Sequence, residues 1–368
     1  MRHLFLNGPV QNGPFTLATR PGKAVGIRLA AALNAILGSP PAPHLWNTVT
    51  LAGDLRHRQA EGPTIPRQRF EADLIAAKYT SGQFPVGGIL TDTDAEVANL
   101  ALEMIENNLR AGTLSISRET VPTCRACGHM TGTGNHPCNA CGSTETRERT
   151  GLHLVAELAK DRPVLDRSDI HASHRQQPKH LQHTAANVAQ RLILSRTRDH
   201  GIDLSPIGLS GLVLDPRVGI HATVLAAARR HEADTAVMTI TENAANHIAA
   251  HGQHFREHGG TRLQYALHGH LPYDDTASLQ PLHEAYRATQ EVKDGFEQWF
   301  LPVFSLKAKT ATRPDQLPVL FKHYMRAHLA RPAEANEAVL KAVQHAVAAG
   351  DTDWITSKQT LANVMAGV

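Results

Sequence analysis

The spacing of apolar positions in this chain switches repeatedly between a buried-strand pattern and a helical one. Residues 3–7 (HLFLN) form a short apolar run, and the Gly/Pro-rich stretch 7–13 that follows predicts a strand ending in a tight loop. From 21 to 37 the apolar residues recur at helical spacing, so the chain opens as a strand, a glycine loop and a helix. The run 46–51 predicts a second parallel strand ending at Ala52-Gly53-Asp54, and 84–90 reads as a loop or strand. Over 92–111 an acid cluster precedes Val97, Leu100, Ala101, Met104, Ile105 and Leu109 at helical spacing, which predicts an amphipathic helix. Helices and loops are expected from 152 to about 197, then strands at 211–214 and 236–240, with Asp215 and Glu242 at their ends. Residues 316–330 and 335–348 read as helices. Strands alternating with helices predict an α/β fold with a doubly wound parallel sheet of Rossmann type, in which ligands bind at the carboxyl ends of the strands. Asp54, Asp215 and Glu242 are therefore the polar residues of interest, although an aspartate in Asp54's position also serves as a helix cap.

Composition narrows the function classes. A chain of 368 residues can bury a substantial core, as two or three domains or as one α/β unit with insertions. No apolar run approaches the ~20 residues of a membrane span, and the amino-terminal apolar stretch is too short for a signal peptide, so a cytoplasmic location is expected. A net charge of +3 without a long Lys/Arg run does not advertise a large nucleic-acid surface. The 23 histidines are scattered, and only those inside a motif are assigned a role.

The 4 cysteines are not scattered. Cys124-x2-Cys127 and Cys138-x2-Cys141, each hook followed by glycine (Gly128, Gly142), have the spacing of a closed tetrahedral Zn2+ site of structural type. A redox pair or a disulfide clasp is the competing reading, but redox CxxC motifs rarely come doubled and no secretory context supports oxidation. A site closed by four sulfurs leaves no position for substrate, so the chemistry is sought elsewhere.

The order of these features resembles a class I aminoacyl-tRNA synthetase, most closely the methionyl enzyme's catalytic core, over about residues 3–330. The family opens with a strand and a Pro-x-x-Asn-Gly-x-x-His-Ile-Gly-His segment. Residues 9–19, Pro-Val-Gln-Asn-Gly-Pro-Phe-Thr-Leu-Ala-Thr, occupy that frame, with Asn12 and Gly13 matching and Thr16 and Thr19 in place of the two histidines. The family's Gly-x-Asp-Glu-His-Gly resembles residues 53–57 and their neighbours, which keep Asp54. Residues 194–201 resemble Ile-Ser-Arg-x-x-x-x-Gly, with Ser195 and Arg196 retained, and residues 214–219 resemble the Phe-Asp-Ala-x-x-Gly that walls the amino-acid pocket. Glu242, Asn243 and His247 keep the spacing of Gly-Lys-Asp-Asn-x-x-Phe-His. Residues 300–310 stand where the family has a strand followed by Lys-Met-Ser-Lys-Ser, which aligns Lys307 and Lys309 with the signature.

The resemblance implies a first half of the catalytic domain at 1–113, a zinc-knuckle insertion at 114–150, a second half at 151–312 and a helical extension at 313–368. It implies ATP binding by Asn12, Gly13, Glu242, Asn243 and Lys307, and substrate binding by Val10, Asp54 and His247. Thr16, Thr19 and Lys309 become the groups that stabilise charge developing on phosphate, and Cys124, Cys127, Cys138 and Cys141 the metal ligands. Read alone, His247 equally suits a buried, hydrogen-bonded core position, and Lys307 and Lys309 a solvated surface. ATP with Mg2+ is the expected cosubstrate and Zn2+ the structural ion. Fewer than forty residues follow position 329, so the helical module with which the family reads the anticodon is not expected, and neither is tRNA as a partner. The chain thus resembles synthetase-like proteins that activate an amino acid as its adenylate and transfer it to a small amine, a hydroxylamine or a carrier protein, including the synthetase-like module of hydrazine synthetases. A separate cupin enzyme is then an expected partner. A synthetase paralogue serving as a binding or regulatory subunit and a truncated methionyl-type tRNA-aminoacylating enzyme are the alternative functions.

Overall fold

A computed structural model describes residues 1–10, 13, 17, 20–57, 88–131, 137–138, 140–159, 164–173, 181, 185–271, 276–308 and 311–368, with backbone alone at 21, 54–57, 276 and 277. Four strands form a parallel sheet. β1 (His3–Asn7) pairs with β10 (Thr235–Thr241), β10 with β12 (Thr261–His268), and β12 with β6 (Ile170–Ala172) through an irregular register at Tyr265/Ala266. The short β11 (Glu257–His258) runs antiparallel to β12. A separate parallel pair, β2 (His44–Trp46) and β3 (Ile89–Thr91), lies on the other side of β1.

Two asparagine side chains occupy the join, Asn7 bridging β1 to β2 and Asn34 tying a helix to β1. The Asn7 carboxamide accepts from Leu45 N–H at 2.9 Å and donates to Leu45 O at 2.8 Å, so a side chain takes the place of a strand partner. Asn34, buried on α1 (Val25–Leu37), does the same for Phe5, accepting its N–H at 2.8 Å and donating to its carbonyl at 2.7 Å. Unpaired, these buried backbone groups would each cost on the order of 1–3 kcal/mol. A cavity of about 180 Å³ lies in the gap, lined by Asn7, Ile27, Ala31, Asn34, Pro41 and His44 among others. Across the join, chain connections run from β1 to β2 in one direction and from β10 to β12 in the other, which makes β1 and β10 the topological switch point.

Both faces of the sheet are buried, as expected of a parallel sheet flanked by helices. Leu4, Leu6, Ala236, Met238, Ile240, Leu263, Tyr265 and Leu267 pack on the side of α3 (Ala95–Arg110) and α4 (Pro216–Arg230). Phe5, Val237 and Ala266 face the other way, toward α1 and the helices α6 (Leu317–Leu329), α7 (Glu337–Ala348) and α8 (Lys358–Gly367). The helix expected over 92–111 is α3, with Val97, Leu100, Ala101, Met104 and Ile105 buried on one stripe.

Three expectations are corrected. The apolar run 46–51 is not a strand: β2 stops at Trp46 and a helix, α2 (Thr48–His57), follows, which puts Asp54 well inside that helix instead of at a strand end. The run satisfies a helical face too, since Leu51 and Trp46 share one buried cluster. The run 300–306 is helical as well, a π-helical stretch Gly295–Phe300 continuing through Leu301–Phe304 into Ser305–Lys307. Phe296, Phe300 and Phe304 lie four residues apart on one face, with centroids 5.8 Å apart at each step, and Pro302 is tolerated in the first turn of its segment. Residues 152–197 include extended chain that was not expected. β4 (Leu114–Cys124) and β5 (Thr146–Glu157) form a long antiparallel hairpin, and β7 (Arg191–Ile193) adds to its end.

Candidate functional site

The carboxyl ends of β1, β2, β3, β10 and β12 bring together groups that are far apart in sequence. After β1 the chain passes close under β10, where a Cβ on Gly8 would lie 2.5 Å from Thr239 O. Helix α1 comes equally close at Gly26, whose Cβ would meet His268 Nε2 and Thr239 Oγ1 at 3.3 Å. Glycine at these two positions lets the first loop and helix lie directly over the strand ends, as nucleotide-binding βα turns require. At the end of β2, Trp46 Nε1 and Asn47 Oδ1 are buried and have no hydrogen-bond partner among the described residues.

Asp92, just past β3, accepts the backbone N–H of Thr48 at 2.8 Å. Burial pushes its carboxyl up to about 6. Helix α4 abuts it, since a Cβ on Gly219 would sit 3.4 Å from Asp92 Cβ. Glu242 is buried at the end of β10, and its N–H donates to His268 O at 3.1 Å, which ties the ends of β10 and β12 together. Burial holds His268 down near 4, so it is neutral at physiological pH. Just beyond it, burial and the charge of Lys23 lower His270, which places Lys23, in the turn Pro21–Ala24, near the exit of β12.

A second cluster centres on Asp215, the N-cap of α4, which accepts the Arg217 N–H at 2.9 Å. Arg217 adds two side-chain bonds to it, from Nε at 2.9 Å and Nη2 at 2.8 Å. Arg196, on β8 (Ser195–Arg196), donates from Nε at 2.6 Å, while β8 itself pairs with β9 (Val213–Leu214) just before Asp215. Burial pushes the Asp215 carboxyl up, but the bonds and charge of Arg217 and the charge of Arg196 outweigh it and hold the group well below the usual carboxylate range. His251, on α5 (Ala245–His251), feels the same charges, and burial with Arg217 lowers it to about 4. Its Nδ1 donates to His247 O at 2.7 Å.

The expected site residues are distributed unevenly over this geometry. Glu242, Asn243 and His247 lie together from the end of β10 into α5, and His247 is exposed, not a core histidine. Val10 is half-buried against the cluster of Leu17, Trp46 and Leu51, and buried Gly13 accepts the Leu17 N–H at 3.1 Å. Asp54 is described by its backbone alone, in α2. Asn12, Thr16, Thr19 and Lys309 lie outside the described residues. Lys307 is paired with Asp353 at 2.8 Å, beside the C-terminal helices. The last strand of the parallel sheet in chain order is β12, and the segment 269–279 after it contains no lysine. Ser305 and Thr312 do lie along this exit: Gly269 N–H donates to Ser305 O at 2.9 Å and Thr312 N–H to His270 O at 2.9 Å. Sequence reading missed Lys23, Asn47, Asp92 and Arg217 as site residues. Only Arg217 carried a usable signal, an arginine two positions after a strand-end aspartate.

The four cysteines do converge. Their Sγ atoms all lie within 4.8 Å of one another, with Cys124–Cys141 at 3.5 Å and Cys127–Cys138 at 3.6 Å. Tetrahedral Zn–S bonds of about 2.3 Å place sulfurs about 3.8 Å apart, so the donor set fits that ion. Gly128 and Gly142 adopt φ of 75° and 77°, and their N–H groups close each hook onto the carbonyls of Cys124 and Cys138 at 2.9 and 2.7 Å. The knuckle rests on the chain just after Arg196: Met130 N–H donates to Thr197 Oγ1 at 2.6 Å, Thr197 Oγ1 donates to Gly128 O at 3.3 Å, and His129 Nε2 meets Asp199 Oδ1 at 3.3 Å.

No protein-family model matches the chain, and no curated protein matches it in sequence. Among solved structures it is similar to Mycobacterium tuberculosis methionyl-tRNA synthetase bound by methionyl-adenylate, with a TM-score of 0.60 and 13% identity over 98% of this chain and 82% of that one. A second structure of the M. tuberculosis enzyme with methionyl-adenylate superposes with a TM-score of 0.58 and 12% identity, over 99% and 82% of the two chains. The fold is therefore class I synthetase-like. Among the described residues no helix is long and apolar enough to cross a membrane.

Two outcomes are expected from this geometry. Protein purified without chelator should carry about one zinc ion per chain by mass spectrometry. Chelation or Cys127→Ser should remove it and speed hydrogen exchange at Met130 and over 195–199; unchanged exchange and melting would separate the knuckle from the site. The second outcome concerns Asp92. Its folded value of about 6 lies above the ordinary 3.8, so the folded state holds the proton more tightly. The stabilisation this provides below about pH 4 is lost as pH rises through 6, on the order of 2–3 kcal/mol. Asp92→Asn, which keeps an acceptor for Thr48, should flatten that part of the pH–stability curve and raise the melting temperature at pH 7; denaturation across pH 3–8 measures it.

Proposed function

We propose that this chain is an ATP-dependent, amino-acid-activating ligase that forms an aminoacyl-adenylate and transfers the acyl group, without tRNA, to a small amine or hydroxylamine. The observation that carries the reading is the superposition of nearly the whole chain on enzymes holding methionyl-adenylate, combined with an acidic, an amide and an imidazole residue, Glu242, Asn243 and His247, just past the end of β10. In the first step a carboxylate oxygen of the amino acid attacks the α-phosphorus of ATP. The bond from that phosphorus to the bridging oxygen breaks, and pyrophosphate leaves with the electron pair. In the second step the acceptor's nitrogen or oxygen attacks the acyl carbon, loses its proton to solvent, and AMP leaves.

Neither step needs a side-chain nucleophile, because positioning and electrostatic stabilisation supply the catalysis. Glu242 and Asn243 at the end of β10 would hold the ribose, and His247 would border the amino acid. Val10 would pack against its side chain, with Asp54 facing its ammonium group. Thr16, Thr19 and Lys309 would meet the phosphates, with ATP delivered as its Mg2+ complex. Lys23, near the exit of β12, adds positive charge where the segment 269–279 has no lysine.

That lysine-free segment favours a second reading, a synthetase-fold subunit that binds nucleotide and amino acid without joining them. Amino-acid-dependent exchange of labelled pyrophosphate into ATP separates the two. The account expects exchange selective for one amino acid, reduced by at least about tenfold, or 1.4 kcal/mol, in Lys309→Ala and in Asp54→Ala. Binding of ATP without exchange, for all common amino acids and with or without hydroxylamine, would establish the second reading.

A further inference from the structure

We infer that the activated amino acid is acidic, its side-chain carboxylate received by Arg217 and Arg196; the inference rests on the activation reading above. The two arginines share one buried carboxylate, Asp215, which is 1% exposed. One guanidinium neutralises it, and the other leaves a surplus positive charge in a site where Arg196 and Arg217 are only 22% and 33% exposed. Among the described residues neither arginine has a further hydrogen bond or ion pair, so both terminal nitrogens of Arg196 and Nη1 of Arg217 remain available as donors. A partly desolvated cation with a forked set of unused N–H groups is matched by a carboxylate, which takes two parallel charge-assisted bonds. The neighbouring His251 contributes no counter-charge, being neutral; of the other buried acids at this end of the sheet, Asp92 is bonded to the Thr48 amide, and Glu242 lies at the end of β10, on the side of β12.

Position favours a side-chain contact over a phosphate contact. Arg217 is in the first turn of α4, the helix that meets Asp92 at Gly219, and its charge acts on His251 of α5. Arg217 and Arg196 thus stand apart from the close backbone approaches of Gly8 and Gly26 around β1, β10 and β12, the geometry suited to a nucleotide. An apolar side chain directed at this wall would strip water from a surplus guanidinium and give nothing in return.

Calorimetric titration of the full chain with L-glutamate, L-aspartate, L-glutamine, L-asparagine and L-methionine tests this. One acid should bind at least about tenfold more tightly than its own amide, and Arg217→Met should erase that preference while Arg217→Lys keeps part of it. Far-ultraviolet circular dichroism and zinc content of the variants report whether they remain folded. Tighter binding of methionine or another neutral amino acid, or an acid-to-amide ratio unchanged in Arg217→Met, overturns the inference. The exchange assay keeps the two claims apart. Acid-selective binding without exchange supports the arginine site and overturns activation, whereas exchange selective for a neutral amino acid does the reverse.

Discussion

A single buried carboxylate, Asp215, organises the end of the molecule where the candidate site lies. Leaving it ionised in the interior is costly unless it is paired, and the pairing recruits residues from separate elements. It caps α4, binds Arg217 in that helix and draws in Arg196 from β8. The residue after Arg196 is Thr197, on which the cysteine knuckle rests. Helix α4 in turn approaches Asp92 at Gly219. A continuous set of contacts thus leads from the knuckle to β8, to Asp215, and through α4 to the end of β3. In this arrangement the four-cysteine cluster, whose sulfurs would leave a bound ion no room for substrate, is joined by hydrogen bonds to the residue next to an arginine of the candidate site.

The sheet is held by a comparable device. β1 and β2 do not exchange backbone hydrogen bonds where Asn7 and Asn34 intervene, and each carboxamide satisfies both the N–H and the C=O of one residue, Leu45 and Phe5. The join preserves the order of a doubly wound sheet and keeps the switch point at β1 and β10, which is where the close approaches of Gly8 and Gly26 lie. Burial near that point also neutralises titratable groups, with His268 near 4 and His44 near 4. Charge at this end is therefore carried by the carboxylates, the arginines and Lys23.

Much of the architecture was legible in the sequence because local pattern and tertiary context agree there. β1, α1, α3, β10 and the two late helices α6 and α7 show uninterrupted strand or helical periodicity, and the cysteine spacing predicted the convergence of the four sulfurs. The failures fall on short apolar runs whose period is ambiguous. Residues 46–51 suit a strand or one face of a helix, and only the packing of Leu51 beside Trp46 decides it. Residues 300–306 are placed as a strand by the resemblance to the family, but their aromatic residues follow a four-residue spacing that begins earlier, at Phe296. That misreading hid β12, and with it the segment 269–279, from the comparison with the family's lysine signature. Asp92 and Asn47 were invisible for a different reason: their importance comes from burial at strand ends, which no single-residue motif encodes.

The location of a bound adenylate analogue tests the account most directly. A crystal structure with an aminoacyl-sulfamoyl-adenosine carrying a glutamyl or aspartyl side chain should show the adenosine over the ends of β1 and β10, with the acyl group lying between His247 and Arg217. Density for the analogue elsewhere on the molecule, or none at saturating concentration in crystals with the knuckle intact, would contradict it.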